Sequence, residues 1–319
     1  MRRHGPAFRV YLRCETVGAT DGATFDQEVH FALGSHHHVG RCYTARAMAR
    51  FVDLLDATAQ KNQSLLCVGL DPWLPSMPIT DIATFASAII DATADLACAF
   101  KPNIAFYEAE GFDGLRALQQ TIATAKARGV PVILDAKRGD LAPSAQAYAK
   151  AVFDRWDADA VTVSPYMGGD SLEPFLNYRE RGVIVLCRTS NAGSGDLQSL
   201  AVDDGVALYE RVAHRANEWN AQGNVGLVVG ATYPDELAQV RSICPAMPIL
   251  IPGLGAQGGE AEASVRAGLD ASGMRGVFNS SRGIIYASKG ADYADAARTA
   301  ALGLRDTINI TRDAMGHTW

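Results

Sequence analysis

Eight short, continuously apolar segments recur along the chain, each followed by turn residues or by a stretch with helical periodicity. Continuous apolar segments are typical of parallel strands that are buried on both faces. Their alternation with helices predicts an α/β fold of the (β/α)8, or TIM-barrel, type. An open doubly wound sheet is less well supported, because no G-x-G-x-x-G motif follows the first segment. The segments span residues 64–71, 97–104, 131–137, 160–166, 182–188, 225–231, 248–254 and 276–282.

The barrel is expected to occupy residues 48–319 as a single catalytic domain, preceded by an irregular leader over residues 1–47. The leader is rich in Gly, His, Thr and Arg and has no sustained hydrophobic period, which is typical of a disordered or tag-like segment. Its three adjacent histidines do not share one helix face as metal ligands would. From Met48 the sequence MARFVDLLDATAQ has the period of an amphipathic helix.

Composition narrows the class of protein. The 319 residues include 29 Lys and Arg against 35 Asp and Glu, a formal net charge of −6 at pH 7. This balance argues against a nucleic-acid-binding or membrane-surface protein, although it leaves room for a local phosphate pocket. No apolar run reaches the roughly 18 residues of a membrane span, and the basic N-terminus lacks the apolar part of a secretory signal. Six cysteines without a C-x-x-C pair indicate free thiols, so we expect a cytoplasmic protein.

Polar and charged residues occur in the apolar segments mainly at the C-terminal end. In a barrel these ends meet at one mouth, where active sites lie. Any single residue of this kind is equally well explained as a cap or turn residue. Four strand ends carry charges, however, and each of these charges would have to tolerate burial separately. The pattern therefore predicts a polar site at this mouth. The residues are Asp71, Lys101, Asp135, Lys137, Ser164, Tyr166, Arg188, Thr189 and Arg282.

The densest group of charges is the sequence Asp135-Ala-Lys137-Arg-Gly-Asp140. Asp135 and Lys137 are two residues apart, so on a strand they share a face and can interact. Lys101 from the neighbouring strand would complete an alternating Lys–Asp–Lys–Asp array whose opposite charges hold each member ionised. A lysine in such an array can deliver a proton to developing negative charge, and a carboxylate there repels an anionic substrate group. A structural ion-pair network is the alternative interpretation.

Two further segments indicate a phosphate site. The sequence from Ile251 to Gly259 contains four glycines, among them Gly255, and lets backbone N–H groups approach an anion closely. The sequence NSSRG that ends the eighth apolar segment supplies the guanidinium of Arg282. Barrels of this class often bind phosphate with the loops after strands seven and eight, so the two segments together are more specific than a glycine-rich turn alone.

The motifs FKPNIAFYEAEG, ILDAKRGD, RTSN, PGLGAQGG and NSSRGI occur in this order along the chain. Together they resemble the orotidine 5′-phosphate decarboxylase family, and in particular its bacterial branch, over roughly residues 48–305. An Asp-x-Lys-x-x-Asp motif alone is shared with other sugar-phosphate barrels, whereas this combination is specific. The resemblance implies conversion of orotidylate to uridylate (UMP) and CO2, the last step of pyrimidine biosynthesis, without a metal or organic cofactor.

The resemblance also implies catalytic roles. Lys137 would protonate C6 of the pyrimidine, and Asp135 would lie beside the carboxylate of the substrate. Lys101 would complete the charge array. Asp140 would reach across the interface of a homodimer and serve the site of the partner.

Binding roles follow from the resemblance in the same way. Asp71 and Lys101 would contact the ribose hydroxyls, and Ser190 would contact the pyrimidine edge. Gln257 and Arg282 would bind the phosphate, with Gly255 in the glycine-rich segment beside them. The small residues of segment 189–203 fit a lid that closes over the site.

Two other functions fit parts of the pattern. A Mg²⁺-dependent sugar-phosphate lyase of the same superfamily resembles this chain in Asp-x-Lys-x-x-Asp, but such lyases carry an acidic metal ligand where this chain has Lys101. A lysine at that position repels Mg²⁺. A phosphoribosyl-ligand sensor without turnover would keep the same binding residues, and nothing in the sequence favours it.

Overall fold

The computed structural model describes residues 49–202, 205–254 and 258–319, and residues 258–260 by their backbone only. These residues belong to one compact unit, Thr44–Trp319. The expected leader over residues 1–47 lies outside the described residues, so its character stays a prediction.

Eight parallel strands form one sheet in the described part of the chain. Each lies within one of the apolar segments, except that the third extends one residue beyond its segment. Most are buried along their whole length, as strands covered on both faces should be. The strands are β1 (Leu66–Leu70), β2 (Ala99–Pro102), β3 (Ile133–Arg138), β4 (Ala160–Val163), β5 (Gly182–Arg188), β6 (Val225–Val229), β7 (Ile249–Pro252) and β8 (Gly276–Ser280).

The sheet closes into a barrel. Its hydrogen-bonded order is β2-β1-β8-β7-β6-β5-β4-β3. The two end strands meet through the parallel bridges Phe100–Val132 and Asn103–Asp135. A hydrogen bond of 2.9 Å from the Phe100 N–H to the Pro131 carbonyl joins them further. The predicted (β/α)8 barrel is therefore confirmed, and the carboxyl ends of all eight strands meet at one mouth.

Helices follow the strands and cover the outside of the barrel. None of the helices in the described ranges is both long and apolar enough to cross a membrane. The helices are α1 (Phe51–Asn62), α2 (Ile82–Thr93), α3 (Ile104–Glu108), α4 (Gly111–Ala127), α5 (Ala142–Lys150), α6 (Gly169–Leu176), α7 (Leu208–Trp219), α8 (Pro234–Ile243), α9 (Gly258–Gly268), α10 (Arg282–Ile285) and α11 (Tyr293–Ala314).

The first helix, α1, covers the N-terminal end of the barrel. The Phe51 N–H donates to the Glu180 carbonyl (2.8 Å), and the Phe51 ring packs against the start of β5. Gly182 makes this contact possible, because a Cβ atom there would lie 2.8 Å from Cγ of Phe51 and 2.7 Å from Cβ of Ala160. This end of the barrel is thus closed by packing, which leaves the carboxyl ends of the strands as the open end.

Candidate active site

The carboxyl ends of the strands border a cavity of about 920 Å³. Substrates of barrel enzymes bind at this end, because the loops that follow the strands can vary without disturbing the core. The cavity collects residues that are far apart in the sequence. Among its lining residues are Asp71, Lys101, Asp135, Asn279, Ser281 and Arg282.

Three of the four residues of the predicted charge array, Lys101, Asp135 and Lys137, come together at this mouth. Lys137 Nζ lies 2.6 Å from Asp135 Oδ1, and Lys101 Nζ lies 3.2 Å from Asp135 Oδ2. Lys101 Nζ also lies 3.9 Å from Asp71 Oδ1. The Lys101 side chain is 5% exposed and the Lys137 side chain 50% exposed. One lysine is therefore fixed inside the cluster, while the other reaches the solvent-facing side.

The cluster holds its charges by mutual attraction. Burial alone would raise the pKa of Asp135, but Lys101, Lys137 and hydrogen bonds to the carboxylate outweigh it and lower that pKa to about 2. Burial likewise disfavours the Lys101 ammonium, yet Asp71 and Asp135 reverse this effect and raise the pKa of Lys101 above its ordinary value. Asp135 and Lys101 are therefore both ionised at neutral pH.

Acid is expected to weaken the fold through Asp135. Its pKa of about 2 in the folded chain lies below the ordinary value of 3.8, so the ionised carboxylate stabilises the fold above pH 3.8, and this contribution is lost as the pH falls towards 2. We expect Asp135→Asn to unfold at lower urea concentration than the parent near neutral pH. The difference in the free energy of unfolding between the variant and the parent should shrink to a small fraction of its value at neutral pH as the pH falls to about 2. A difference that does not change with pH would contradict the ionised state of Asp135.

Asp71, which follows β1, is held through its backbone. The Tyr286 hydroxyl donates to the Asp71 carbonyl (2.7 Å) and accepts from the Trp73 N–H (2.6 Å). The Tyr107 hydroxyl donates to the Leu70 carbonyl (3.3 Å). The Asp71 Oδ1 atom is buried and accepts no hydrogen bond from the described residues. A carboxylate oxygen in this position is available to a ligand hydroxyl.

The strand β3 is irregular where it carries the charged residues. Its pairing with β4 shifts register between Leu134 and Arg138. Lys137 has a φ of +45°, in the left-handed region that few residues other than glycine adopt. Asp135 and Lys137 therefore come together as predicted, but through a bulge rather than through the simple alternation of a regular strand.

Thr162, in β4, contacts this bulge. Its hydroxyl donates to Asp135 Oδ1 (2.9 Å) and accepts from the N–H groups of Ala136 (3.0 Å) and Lys137 (2.9 Å). Sequence reasoning missed Thr162, because within AVTV a threonine is an ordinary β-branched strand residue. The NSSRG motif was considered only for its guanidinium, so Asn279, whose buried Oδ1 lacks a hydrogen bond to the described residues, was missed as well.

Gly69 allows β1 to approach the start of α10. A Cβ atom at Gly69 would lie 2.8 Å from Cβ and 3.2 Å from Cα of Ser281. Ser281 immediately precedes Arg282, the first residue of α10, whose side chain is exposed at the cavity. The absence of a side chain at Gly69 therefore helps to place Arg282.

Ser190 lies at the same end of the barrel. A Cβ atom at Gly230, after β6, would lie 2.7 Å from Ser190 Cβ, and one at Gly253, after β7, would lie 4.0 Å from Ser190 Oγ. The preceding Thr189 is held by Gln198, which accepts from the Thr189 N–H (2.8 Å) and donates to its hydroxyl (2.9 Å). The segment that carries Ser190 is thus tied to a short loop beyond it.

Arg188 takes a supporting position. Its guanidinium bonds to the Ser194 hydroxyl, lies 3.7 Å from Glu236 Oε1 and stacks over the Tyr233 ring at 3.7 Å from the centroid. Arg188 is buried, so it ties the loop after β5 to α8. Its charge belongs to this support rather than to the cluster around Asp135.

The remaining predicted residues are not brought into the cluster. The half-buried Asp140 carboxylate accepts from the Leu141 N–H (2.7 Å), and within the described ranges no hydrogen bond or ion pair joins it to Lys101 or Lys137. The fourth charge beside the cluster in this chain is therefore Asp71 rather than Asp140. Gly255 and Gln257 lie outside the described residues.

The mouth offers little to a metal ion. Among the described residues that line the cavity, the carboxylates are those of Asp71 and Asp135, and Lys101 Nζ lies near both of them. Across the described ranges, no group of three His, Cys, Asp or Glu side chains could hold a metal. The arrangement is suited to holding organic anions and hydroxyl groups by fixed charge.

The sequence matches the model of the orotidine 5′-phosphate decarboxylase / HUMPS family over residues 64–298. This range runs from the start of the first apolar segment into α11. It therefore includes all eight strands and every residue of the charge cluster.

Curated proteins and solved structures agree with this match. An orotidine 5′-phosphate decarboxylase of Ralstonia pickettii is 55% identical over 272 residues, which are 83% of this chain and 100% of that protein. One of Roseiflexus castenholzii is 54% identical over 266 residues, 81% of this chain and 97% of that protein. The structure of Leishmania donovani OMP decarboxylase superposes with a TM-score of 0.74 at 46% identity, covering 83% of this chain and 99% of that one. This chain belongs to the orotidine 5′-phosphate decarboxylase / HUMPS family.

Proposed function

We propose that the chain is a carboxy-lyase that converts orotidine 5′-phosphate to uridine 5′-phosphate (UMP) and CO2. The observation that carries the proposal is the ionised Lys101–Asp135–Lys137 cluster at the mouth of the barrel. Relatives named orotidine 5′-phosphate decarboxylase at 55% and 54% identity support the same reaction. The product is a pyrimidine nucleotide, which places the reaction in pyrimidine biosynthesis.

The reaction breaks the bond between C6 of the pyrimidine and its carboxylate carbon. CO2 leaves, the electron pair stays on C6, and C6 then takes a proton. Because no electron sink lies next to C6, fixed charge and a ready acid must lower the barrier. The proposed acid is Lys137, whose ammonium group is held 2.6 Å from Asp135 Oδ1 and whose side chain is half exposed. Solvent returns the proton to Lys137 after each turnover.

Asp135 and Lys101 prepare the site for this step. The Asp135 carboxylate would lie beside the substrate carboxylate and repel it, and this repulsion disappears when CO2 leaves. Lys101 holds the other oxygen of the Asp135 carboxylate, Oδ2, at 3.2 Å. Both charges are set before substrate binds, so little reorganisation is needed during the reaction.

The parts of the substrate that do not react have their own binding residues. The Oδ1 atom of Asp71, which accepts no hydrogen bond from the described residues, would bind the ribose hydroxyls together with Lys101. Ser190 would bind the pyrimidine edge. Arg282 would bind the phosphate together with Gln257 and the backbone at Gly255. Binding energy gained there can be used to hold C6 against Lys137.

Gly69→Ala is expected to weaken binding at the phosphate end. The added Cβ atom must displace Ser281 and with it Arg282, so we expect KM for orotidine 5′-phosphate to rise about tenfold, with a loss of stability of about 1–3 kcal/mol. Steady-state kinetics and thermal unfolding measure the two effects. Gly182→Ala is the matched control, because it creates a similar clash at the closed end of the barrel and should lower stability without changing KM. Equal KM values in the two variants would contradict the placement of Arg282 by Gly69.

Asp140 is proposed to act in a homodimer. Within the described residues of one chain its carboxylate accepts from the adjacent Leu141 N–H and forms no ion pair with Lys101 or Lys137. We propose that two subunits associate at the open ends of the barrels, so that Asp140 of each serves the site of the other. The position of Asp140, three residues after Lys137 on the loop that leaves β3, supports this arrangement.

The two rival functions are less well supported. In a Mg²⁺-dependent lyase a carboxylate should occupy the position of Lys101, yet here a buried ammonium lies 3.2 Å from one carboxylate and 3.9 Å from another. A second cation in this space would be repelled. A sensor without turnover has no use for an acid that is half exposed beside a carboxylate at the mouth of the cavity.

A single ultraviolet assay tests the proposed reaction. Orotidine 5′-phosphate is mixed with the purified chain in EDTA, and its absorbance is followed as UMP forms. Conversion in EDTA supports the proposal and rules against the Mg²⁺-dependent lyase. Turnover of a hexulose phosphate with Mg²⁺, but not of orotidine 5′-phosphate, would overturn the proposal in favour of the lyase. Binding of UMP without any turnover would favour the sensor.

The proposed location is the cytoplasm. The support comes from the cysteines rather than from any targeting feature. Four described cysteines are free and buried, as is usual for proteins of a reducing compartment. Burial raises the pKa of the Cys67 thiol to about 12, so this thiol is protonated and unreactive.

A further inference from the structure

We infer that Thr162 is a positioning residue for the decarboxylation: its hydroxyl fixes the backbone of Lys137 and the carboxylate of Asp135 together. The inference rests on the proposed function, which supplies the reaction that Lys137 and Asp135 perform. Thr162 itself would contact neither substrate nor product. It would act through the two residues that it holds.

The hydroxyl of Thr162 makes all the hydrogen bonds that a hydroxyl group can make. A hydroxyl can donate one hydrogen bond and accept two. Thr162 donates to Asp135 Oδ1 and accepts from the N–H groups of Ala136 and Lys137, all at 2.9–3.0 Å. The residue is 1% exposed, so water does not compete for these positions. The orientation of the hydroxyl is therefore fixed by its three partners at once.

The bulge in β3 depends on these bonds. Between Leu134 and Arg138 the register against β4 is shifted, and the N–H groups of Ala136 and Lys137 bond to a side chain of β4 rather than to its backbone. Without the hydroxyl, two N–H groups would lose their partner in a part-buried position. The backbone could then leave the left-handed conformation at Lys137, where φ is +45°, and the ammonium group would move with it.

The same hydroxyl also acts on Asp135. It is one of the donors that stabilise the ionised carboxylate, the others being Lys101 from β2 and Lys137 from β3. Asp71, after β1, is the remaining charged group of the cluster, and the neutral Cys67 thiol of β1 lies nearby. Loss of one donor should raise the pKa of Asp135 from about 2 towards its ordinary value.

Thr162→Val tests the inference, because it keeps the shape of the side chain and removes the hydroxyl. We expect kcat to fall about 100-fold through misplacement of Lys137, with KM changed less than about threefold. The acidic limb of the pH profile of kcat/KM should move to higher pH, because Asp135 becomes easier to protonate. Thr162→Ser keeps the hydroxyl and should restore most of kcat.

Thr93→Val is the matched control. Thr93 is fully buried in α2, and its hydroxyl donates to the Ile89 carbonyl at 2.7 Å, away from the mouth. It should lower thermal stability without changing kcat or the pH profile. Thr162→Cys, which keeps the size but bonds weakly, replaces Thr162→Val if the latter does not fold. A parental kcat and pH profile in the hydroxyl-free variant would overturn the inference, as would equal loss of kcat in Thr162→Ser.

The inference and the proposed function can fail separately. If the parent chain does not decarboxylate orotidine 5′-phosphate, the proposed function fails. The positioning of Asp135 is then tested by ¹³C NMR titration of its carboxyl carbon. A higher pKa in Thr162→Val than in the parent supports the inference, and equal values overturn it. If the parent is active and Lys137→Ala is not, an unchanged Thr162→Val overturns the inference alone.

Discussion

Lys137→Ala is expected to lower kcat for decarboxylation by about 10²–10⁴-fold, the range that a positioned acid contributes, while the chain still folds and binds UMP. The Lys137 side chain is 50% exposed, so its removal leaves no large cavity. Asp135 keeps Lys101 at 3.2 Å and Thr162 at 2.9 Å as partners, so its charge is not left unpaired. The effect should therefore fall on the chemical step rather than on the fold.

Three measurements on the same preparation test this expectation. They are the rate of UMP formation from the ultraviolet assay, the affinity for UMP by calorimetry, and the midpoint of thermal unfolding. Lys150→Ala is the control, because it removes an exposed lysine from α5, away from the mouth. Turnover close to that of Lys150→Ala would remove Lys137 from the mechanism. Loss of UMP binding together with turnover would assign Lys137 to binding rather than to proton transfer.

The sequence predicts the barrel well because a strand that is buried on both faces is apolar along its whole length. A strand such as β6, Val225–Val229, has no polar residue to interrupt it, so its position can be seen without knowing its neighbours. The same logic locates the site. Asp71 and Lys101 lie where apolar strands end, and a buried charge there needs a partner or a function.

Contacts between residues that are far apart in the sequence cannot be predicted in this way. Tyr286 holds the Asp71 backbone across 215 residues of sequence, and no local period links the two. Thr162 is found only through the bulge in β3, and alternation of side chains predicts a regular strand there instead. Arg188 shows that the same sequence pattern can also mark a residue with a supporting role. It is the last residue of an apolar strand, much as Asp71 follows one, yet its guanidinium stacks on Tyr233 and supports a loop.

Mixing two inactive variants, Asp140→Ala and Lys137→Ala, is expected to restore activity if Asp140 acts across a dimer. Random pairing of equal amounts makes half of the dimers mixed, and each mixed dimer contains one intact site. About a quarter of all sites would then be active, against almost none in either variant alone. The intact site combines Lys137 of one subunit with Asp140 of the other. If Asp140 acts within its own chain, every site stays defective and no activity returns.

A second mixture also distinguishes an Asp140 that acts across the dimer from one that acts within its own chain. A subunit that carries both Lys137→Ala and Asp140→Ala is paired with an equal amount of the parent. If Asp140 acts across the dimer, the double variant inactivates the parental site in each mixed dimer, and about a quarter of all sites stay active. If Asp140 acts within its own chain, about half of all sites stay active. Sedimentation checks that the subunits associate and exchange. A chain that stays a monomer during turnover would contradict the proposed dimer, and Asp140, which bonds to the Leu141 N–H, would then be a loop residue without a role in catalysis.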